Sequence, residues 1–328
     1  MRVVITGATG FLGSHLVEFL AAQAGIEMAV LLRPSSNPRW LSGFRWIRLP
    51  GDVTEDPEAL ARQLSGAEVV LHLAGITKAL SRETFFAVNR GGTRNVFEAC
   101  IRLSPQPRRV VVVSSAGALG PGSGGLPVCD DQPPHPVDVY GESKLAAEGE
   151  ALAFSDRLPI TIVRPGAIYG PRDLELLPFF RAVARGLAPR IGCAEAWMNL
   201  GFVRDIARSV WLAATAPEAV GRAVLVGGQN VRDGELAASA ARALGRRRVL
   251  SFPIPGPLFS LAALASSAIG AITGKPRIFT WGTRRRLLAR DWRLDLSRAE
   301  RLLGYRPEVP LDEGLAETVA WYRAQRLL

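Results

Sequence analysis

Tyr140 and Lys144 stand four residues apart in the run Tyr140-Gly141-Glu142-Ser143-Lys144, a spacing that puts both side chains on one face of a helix. A phenol with a reference pKa of about 10 is a poor base at neutral pH, but a neighbouring ammonium stabilises its phenolate. Tyr140 so placed takes a proton from an alcohol or gives one to a ketone. Upstream, the apolar run Val110–Val113 ends in Ser114 and Ser115, and Ser115 is placed to hydrogen-bond the same substrate oxygen. Taken singly, the Tyr/Lys pair reads as a helix surface and the serines as turn formers.

Their order behind a glycine loop at the start of the chain turns that reading toward catalysis. The loop is Thr6-Gly7-Ala8-Thr9-Gly10-Phe11-Leu12-Gly13, between a predicted strand and a predicted helix. Gly7 and Gly10 let the backbone turn and approach a pyrophosphate, and Gly13 lets helix and strand pack closely. The helix N-terminus at Phe11 and Leu12 offers amide donors to the phosphates. A dinucleotide there supplies the hydride partner for a Tyr140 proton transfer. The second strand ends Leu31-Leu32-Arg33, without the carboxylate that accepts from the ribose of NAD. Arg33 is suited to a 2′-phosphate, so NADP(H) is favoured, with NAD(H) as the alternative; the competing reading makes Arg33 one more surface arginine. Asp52 and Val53 are placed to cap an adenine with one carboxylate and one apolar side chain. Leu73, Ala74 and Gly75, after His72, form a strand end that lets the backbone approach the cofactor.

Alternating elements must carry these residues. Strand-like runs at Val3–Thr6, Met28–Leu32, Val69–Leu73, Val110–Ser114 and Ile160–Arg164 are separated by helical stretches at Leu12–Ala24, Asp56–Leu64, Phe85–Leu103 and Tyr140–Phe154. Continuous apolar strands between helices predict an α/β fold, a doubly wound parallel sheet with its ligand crevice at the carboxyl ends of the strands. Val224–Gly227 predicts one more strand. From about Gly166 the chain turns irregular, with helices predicted over Leu176–Gly186 and Asp233–Leu244. The expected division is a dinucleotide-binding domain over residues 1–165, with 201–228 returning to it, and a smaller C-terminal substrate lobe over 166–200 and 229–328.

Composition narrows the class. With 328 residues, 48% apolar and 21% charged, the chain is neither disordered nor collagen-like nor a disulfide scaffold. Cys100, Cys129 and Cys193 show no CxxC spacing, and the only histidines are His15, His72 and His135. That argues for reduced thiols in the cytoplasm and for no metal centre. Arg2 leads straight into a strand, not into a signal peptide. The net charge is +10, and of 40 basic residues only Lys78, Lys144 and Lys275 are lysines. Arg246–Arg248 and Arg284–Arg286 lack aromatic interleaving, so no nucleic-acid partner is expected. Residues 251–274 carry no charge, but Pro253, Pro255, Gly256 and Pro257 leave only Leu258–Thr273 uninterrupted, short for a membrane span of about 20 residues. Bracketed by Arg246–Arg248 and by Lys275 with Arg277, this stretch is either a peripheral contact with the inner face of an anionic membrane or a buried lobe helix.

Together these motifs resemble the extended short-chain dehydrogenase/reductase family, the NAD-dependent epimerase/dehydratase superfamily. The resemblance rests on Thr6–Gly13, Ser115, Tyr140–Lys144, Arg164-Pro165-Gly166-Ala167-Ile168-Tyr169-Gly170-Pro171 and the closing stretch Asp295–Pro307 with Glu313-Gly314. It implies a Rossmann sheet, a Ser115–Tyr140–Lys144 triad in which Lys144 also holds the nicotinamide ribose, an Asn89 that positions the site, and Pro165 and Ile168 near the nicotinamide. It further implies a homodimer formed through the helices around 85–103 and 140–154. Sugar-nucleotide members usually carry a diphosphate-binding arginine where this chain has Met198. Residues 257–272 and 284–295 look like the 3β-hydroxysteroid dehydrogenase and dihydroflavonol-reductase branch. The resemblance thus implies a secondary alcohol/ketone oxidoreductase for a small lipophilic substrate. A nucleotide-sugar 4-epimerase or dehydratase with tightly held NAD is the alternative, and a non-catalytic dinucleotide-binding protein is the third reading.

Overall fold

The computed structural model describes residues 1–192, 194–277 and 279–328, so Cys193 lies outside the described residues. Seven strands, β1 (Arg2–Thr6), β2 (Glu27–Leu32), β3 (Ile47–Pro50), β4 (Val69–His72), β5 (Arg109–Val113), β6 (Ile160–Pro165) and β7 (Ala223–Val226), pair in the order β7-β6-β5-β4-β1-β2-β3. Every pairing is parallel. Successive side chains of one strand enter opposite cores. Val3 and Ile5 pack with Leu16, Val30 and Val210 on one face, whereas Val4 packs with Val70, Phe97 and Val110 on the other. Neither face meets water, which is why these strands read as continuous apolar runs. The predicted doubly wound sheet is what forms. The chain runs outward from β1 through β2 and β3 and then returns to β4 on the other side of β1, which opens a crevice at the carboxyl ends of β1 and β4.

Two departures from the expected elements have plain causes. β3 was not foreseen, because it is an edge strand in which only Leu49 is buried. The single helix expected over Phe85–Leu103 is three pieces: a helix at Arg82–Phe86, a π turn at Ala87–Gly91 and a helix at Gly92–Ile101. One extra residue in a turn re-aims the side chains around it, and here the turn carries the buried Asn89.

Beyond β6 a second sheet forms around Trp197–Phe202. This strand pairs parallel with Ala167–Tyr169 and Asp291–Trp292 and antiparallel with Gln229–Arg232. Its core gathers Tyr169, Phe180, Phe202, Leu236, Leu315 and Tyr322. Gly314 is bare because a Cβ there would lie 2.4 Å from the Tyr169 hydroxyl. A two-stranded pair, Leu187–Ile191 with Leu250–Ile254, completes the lobe. The uncharged stretch is longer than expected as a helix, Gly256–Thr273, and among its residues only Phe259, Ser260, Ala263 and Gly270 are buried. Leu261, Leu264 and Ile272 are 63%, 53% and 85% exposed. The helix is therefore not the buried lobe element that was one of its two readings.

Candidate active site

The glycine loop is built as a phosphate cradle. Gly7 has a φ of +76°, and a Cβ on it would lie 2.6 Å from the Ala74 nitrogen. A Cβ on Gly13 would lie 2.2 Å from the Gly7 carbonyl oxygen. Only bare backbone lets the loop pass this close to the end of β4 and to its own helix. No side chain caps the helix Phe11–Ala21 at Gly10, and its first turn holds no acid, so its amides and dipole remain available to an anion. Thr9, Phe11 and Leu12 are half-buried around this opening. The residues present fit a dinucleotide.

Around the cradle, the Thr6 hydroxyl accepts from the Ala74 amide at 3.2 Å and contacts His72 Nδ1 at 2.7 Å. His72 Nε2 contacts the Thr93 hydroxyl at 3.0 Å, and that hydroxyl donates to the Asn89 carbonyl at 2.6 Å. Burial holds the His72 pKa down to about 3, with Lys144 adding to the effect. His72 is thus a neutral strut that ties β1 and β4 to the π turn. Arg33 is well exposed and lies 3.9 Å from Asp52, whereas Val53 is buried against Gly92. Gly75 is exposed; a Cβ there would lie 3.0 Å from Asn89 Oδ1 and 3.6 Å from Lys144 Nζ.

Asn89 is fixed on all sides. Its Oδ1 accepts from the Ile76 amide at 2.8 Å, and its Nδ2 donates to the Ile76 carbonyl at 3.1 Å and to Ser143 Oγ at 2.9 Å. That couples the loop after β4 to the helix Val139–Phe154, which carries both Tyr140 and Lys144. Lys144 is buried and donates to the Val113 carbonyl at 2.6 Å. Burial brings its pKa down to about 8, with Glu148 working the other way.

The two serines at the end of β5 part company. Ser114 donates to Glu148 Oε1 at 2.5 Å, in a buried cluster where Arg164 grips Glu148 through Nε at 3.0 Å and Nη2 at 2.6 Å. Ser115 accepts from the Gly117 amide at 3.0 Å, and it faces Tyr140 across Gly117, where a Cβ would lie 3.3 Å from Ser115 Oγ and 3.8 Å from Tyr140 Cε1. Their approach depends on Gly141, where a Cβ would lie 2.3 Å from the Gly117 carbonyl oxygen. Burial pushes the Tyr140 phenol above its ordinary value; the neighbouring Ser115 hydroxyl and Arg286 oppose this. Sequence reasoning missed Arg286. Its guanidinium lies over the Tyr140 ring, 5.4 Å from the centroid, and its Nε is 3.3 Å from Asp138 Oδ2. Lys144, the cation foreseen for this task, gives one of its three N–H donors to the Val113 carbonyl. Pro165 is buried at the end of β6, paired with Val226, and Ile168 packs against the sheet core. Met198 packs against the lobe core.

The profile of the NAD dependent epimerase/dehydratase family matches residues 3–227. A ceramide reductase of Caulobacter vibrioides is 34% identical, over 98% of this chain and 94% of that one. A decarboxylating sterol-4-alpha-carboxylate 3-dehydrogenase of Schizosaccharomyces pombe is 27% identical over 99% of both chains. Among solved structures, gox2253 matches with a TM-score of 0.83 at 25% identity, covering 100% of this chain and 99% of that one. MoeE5 in complex with UDP-glucose and NAD matches with a TM-score of 0.77 at 26% identity, covering 99% and 100%.

Proposed function

The chain belongs to the NAD dependent epimerase/dehydratase family, and from that premise we propose that it interconverts a secondary alcohol and a ketone on a lipophilic molecule of sterol or sphingoid type. It is an NAD(P)-dependent enzyme of the extended short-chain type. The observation that carries the reaction is the approach of Ser115 and Tyr140 across Gly117, seated at the crevice with Asn89 and Lys144 behind them. In this reading Ser115 donates to the substrate oxygen, Tyr140 gives that oxygen a proton or takes one from it, and Lys144 holds the ribose and returns the Tyr140 proton. A bound nicotinamide supplies the hydride donor or acceptor. Thr9, Gly10, Phe11 and Leu12 would hold its pyrophosphate, and Asp52, Leu73 and Ala74 would line the adenosine side.

Two observations support a lipophilic substrate over a sugar nucleotide. The relatives named for ceramide and sterol chemistry align along nearly the whole chain. At Met198 a thioether stands where a diphosphate would need a guanidinium, and it packs into the lobe core. The sugar-nucleotide reading is favoured by the likeness to MoeE5 with UDP-glucose. Exposed Arg33 at the end of β2 supports NADP(H) over NAD(H). A homodimer would pair the helix Gly92–Ile101 and the helix Val139–Phe154 with their copies, covering the exposed Leu152. One assay separates the readings. Purified enzyme is offered long-chain 3-ketosphingoids and 3β-hydroxysterols, and separately UDP-sugars, each with NADPH and with NADH. Lipid turnover with exchangeable cofactor, faster with NADPH, is the expected result. Turnover confined to UDP-sugars, with NAD retained by the protein, overturns the reading.

The substrate class gives the apolar helix Gly256–Thr273 a use. Its exposed leucines stand between the exposed Arg246–Arg248 and the exposed Lys275 and Arg277, the composition of a segment that rests on an anionic bilayer. In this proposal the enzyme docks at the inner face of the membrane and loads its substrate from it. Co-sedimentation with phosphatidylglycerol-containing liposomes should be strong at low salt and weaken as salt rises. Replacing both Leu261 and Leu264 by Ser should weaken it by roughly a hundredfold or more, since each buried leucine contributes about 1.5–3 kcal/mol. Neither residue is in the core, so the fold should survive. A protein that ignores these liposomes at low salt does not dock.

A further inference from the structure

The three consecutive arginines Arg284, Arg285 and Arg286 have different fates. Arg284 donates to Ser260 Oγ at 2.5 Å and covers the Trp281 ring, and Arg285 is exposed. Arg286 turns inward to the catalytic helix. Its carbonyl accepts from Trp292 Nε1 at 3.2 Å, and Trp292 is paired to Met198 in the second sheet, so the position of Arg286 is set by the lobe. Its partner Asp138 is buried and already serves the catalytic helix as its N-cap, accepting from the Gly141 amide at 2.8 Å. One carboxylate therefore joins the lobe to the turn that carries Tyr140.

We propose that Arg286 is a positioning residue for Tyr140: through Asp138 it holds the first turn of the catalytic helix, and from its place across the ring it stabilises the phenolate. This rests on the reading of Tyr140 as the proton-transfer group. A cation facing an aromatic ring is attracted to its negative face, and more strongly once the ring oxygen carries charge. Among the described residues no other cation lies over that ring. Asp138 at the helix cap and Glu175 from the loop before the helix Leu177–Ala184 both disfavour a phenolate. Lys78 is paired with Glu175 at 2.8 Å. Phe85 touches the Tyr140 ring from the helix Arg82–Phe86; on that helix Arg82 is paired with Glu142, and Glu83 is exposed. Lys144 donates to Val113 and stands one turn from Glu148. Arg286 is what offsets the two carboxylates.

The chain makes this measurable without a substrate. It has four tyrosines, and burial pushes the phenols of the other three, Tyr169, Tyr305 and Tyr322, upward. Ultraviolet difference absorbance across a pH titration, with Tyr140→Phe subtracted, therefore reads Tyr140 alone. Arg286→Gln should make Tyr140 about a tenfold weaker acid, moving its midpoint up by about one pH unit. Arg286→Met, which keeps an apolar stem against the ring, should do the same, and Arg286→Lys should restore most of the loss. A midpoint unmoved in both neutral variants overturns the proposal. Turnover persisting in Tyr140→Phe would instead remove the reading of Tyr140 as the proton-transfer group while the titration still reports on Arg286. The two failures are thus distinguishable.

Discussion

Replacing Tyr140 by Phe is expected to lower turnover by about 10²–10⁴-fold, the usual worth of a positioned proton donor or acceptor, while dinucleotide affinity stays within a factor of a few. The substitution removes one oxygen and leaves the ring, which keeps its tilted contact with Phe85 at 6.4 Å between centroids. Ser115 retains the Gly117 amide as a partner at 3.0 Å, so no buried group is orphaned and the fold has no reason to change. The phosphate cradle, the His72 strut and the Asn89 clamp all lie outside the lost hydroxyl. Steady-state rates on the lipid panel, with NADPH binding followed by its fluorescence, check both halves of the expectation. Turnover within threefold of the parent enzyme would mean that another group moves the proton.

The second large effect is on stability. Arg164→Met should destabilise the protein by about 3–5 kcal/mol, because it leaves a charged partner buried and unpaired. Glu148 is 3% exposed and Arg164 is 9% exposed, and the two share a bidentate contact. Without Arg164, Glu148 keeps only the Ser114 hydroxyl. Asp130 also loses a neighbour; burial already raises its pKa to about 6, with Arg298 and Arg164 working against that rise. Asp130 would then sit further above its unfolded value. A group whose folded pKa is raised contributes stability at low pH and loses it as pH climbs through that value, so the deficit should be larger at pH 8 than at pH 5. Urea denaturation at both values tests this. Arg164→Met combined with Glu148→Gln should recover part of the loss. A loss below about 1 kcal/mol at pH 8 would mean that water reaches Glu148 and replaces the guanidinium.

Tyr140, Lys144 and Ser115 are visible in the sequence because their positions relative to one another are set locally, by one helical turn and one strand end. The same holds for β1, β2, β4, β5 and β6, each apolar on both faces and so marked by composition alone. β3 leaves no such mark, since Leu49 is its one buried residue. Trp197–Phe202 is harder still: its partners come from residues 167–169, 229–232 and 291–292, and no short-range pattern encodes pairings of that separation. The π turn around Asn89 interrupts a sequence that reads as one helix. Arg286 is the plainest case. Nothing local distinguishes it from Arg284 or Arg285, and its role exists only because the second sheet sets it opposite Asp138.

The strand Ala223–Val226 pairs with β6 only after the chain has left the first sheet, built Ala167–Tyr169 and Trp197–Phe202 in the second, and come back. During synthesis β6 is therefore a finished but uncovered edge, with Ile160, Ile162 and Val163 ready to accept any extended segment. Such an edge is a template for pairing with another chain, and a nascent polypeptide holds it open until Val226 has cleared the ribosome. Order of emergence thus leaves β6 open for a time, until Ala223–Val226 takes over as the edge on that side of the sheet. A chain ended between these two points would lack the strand that covers β6.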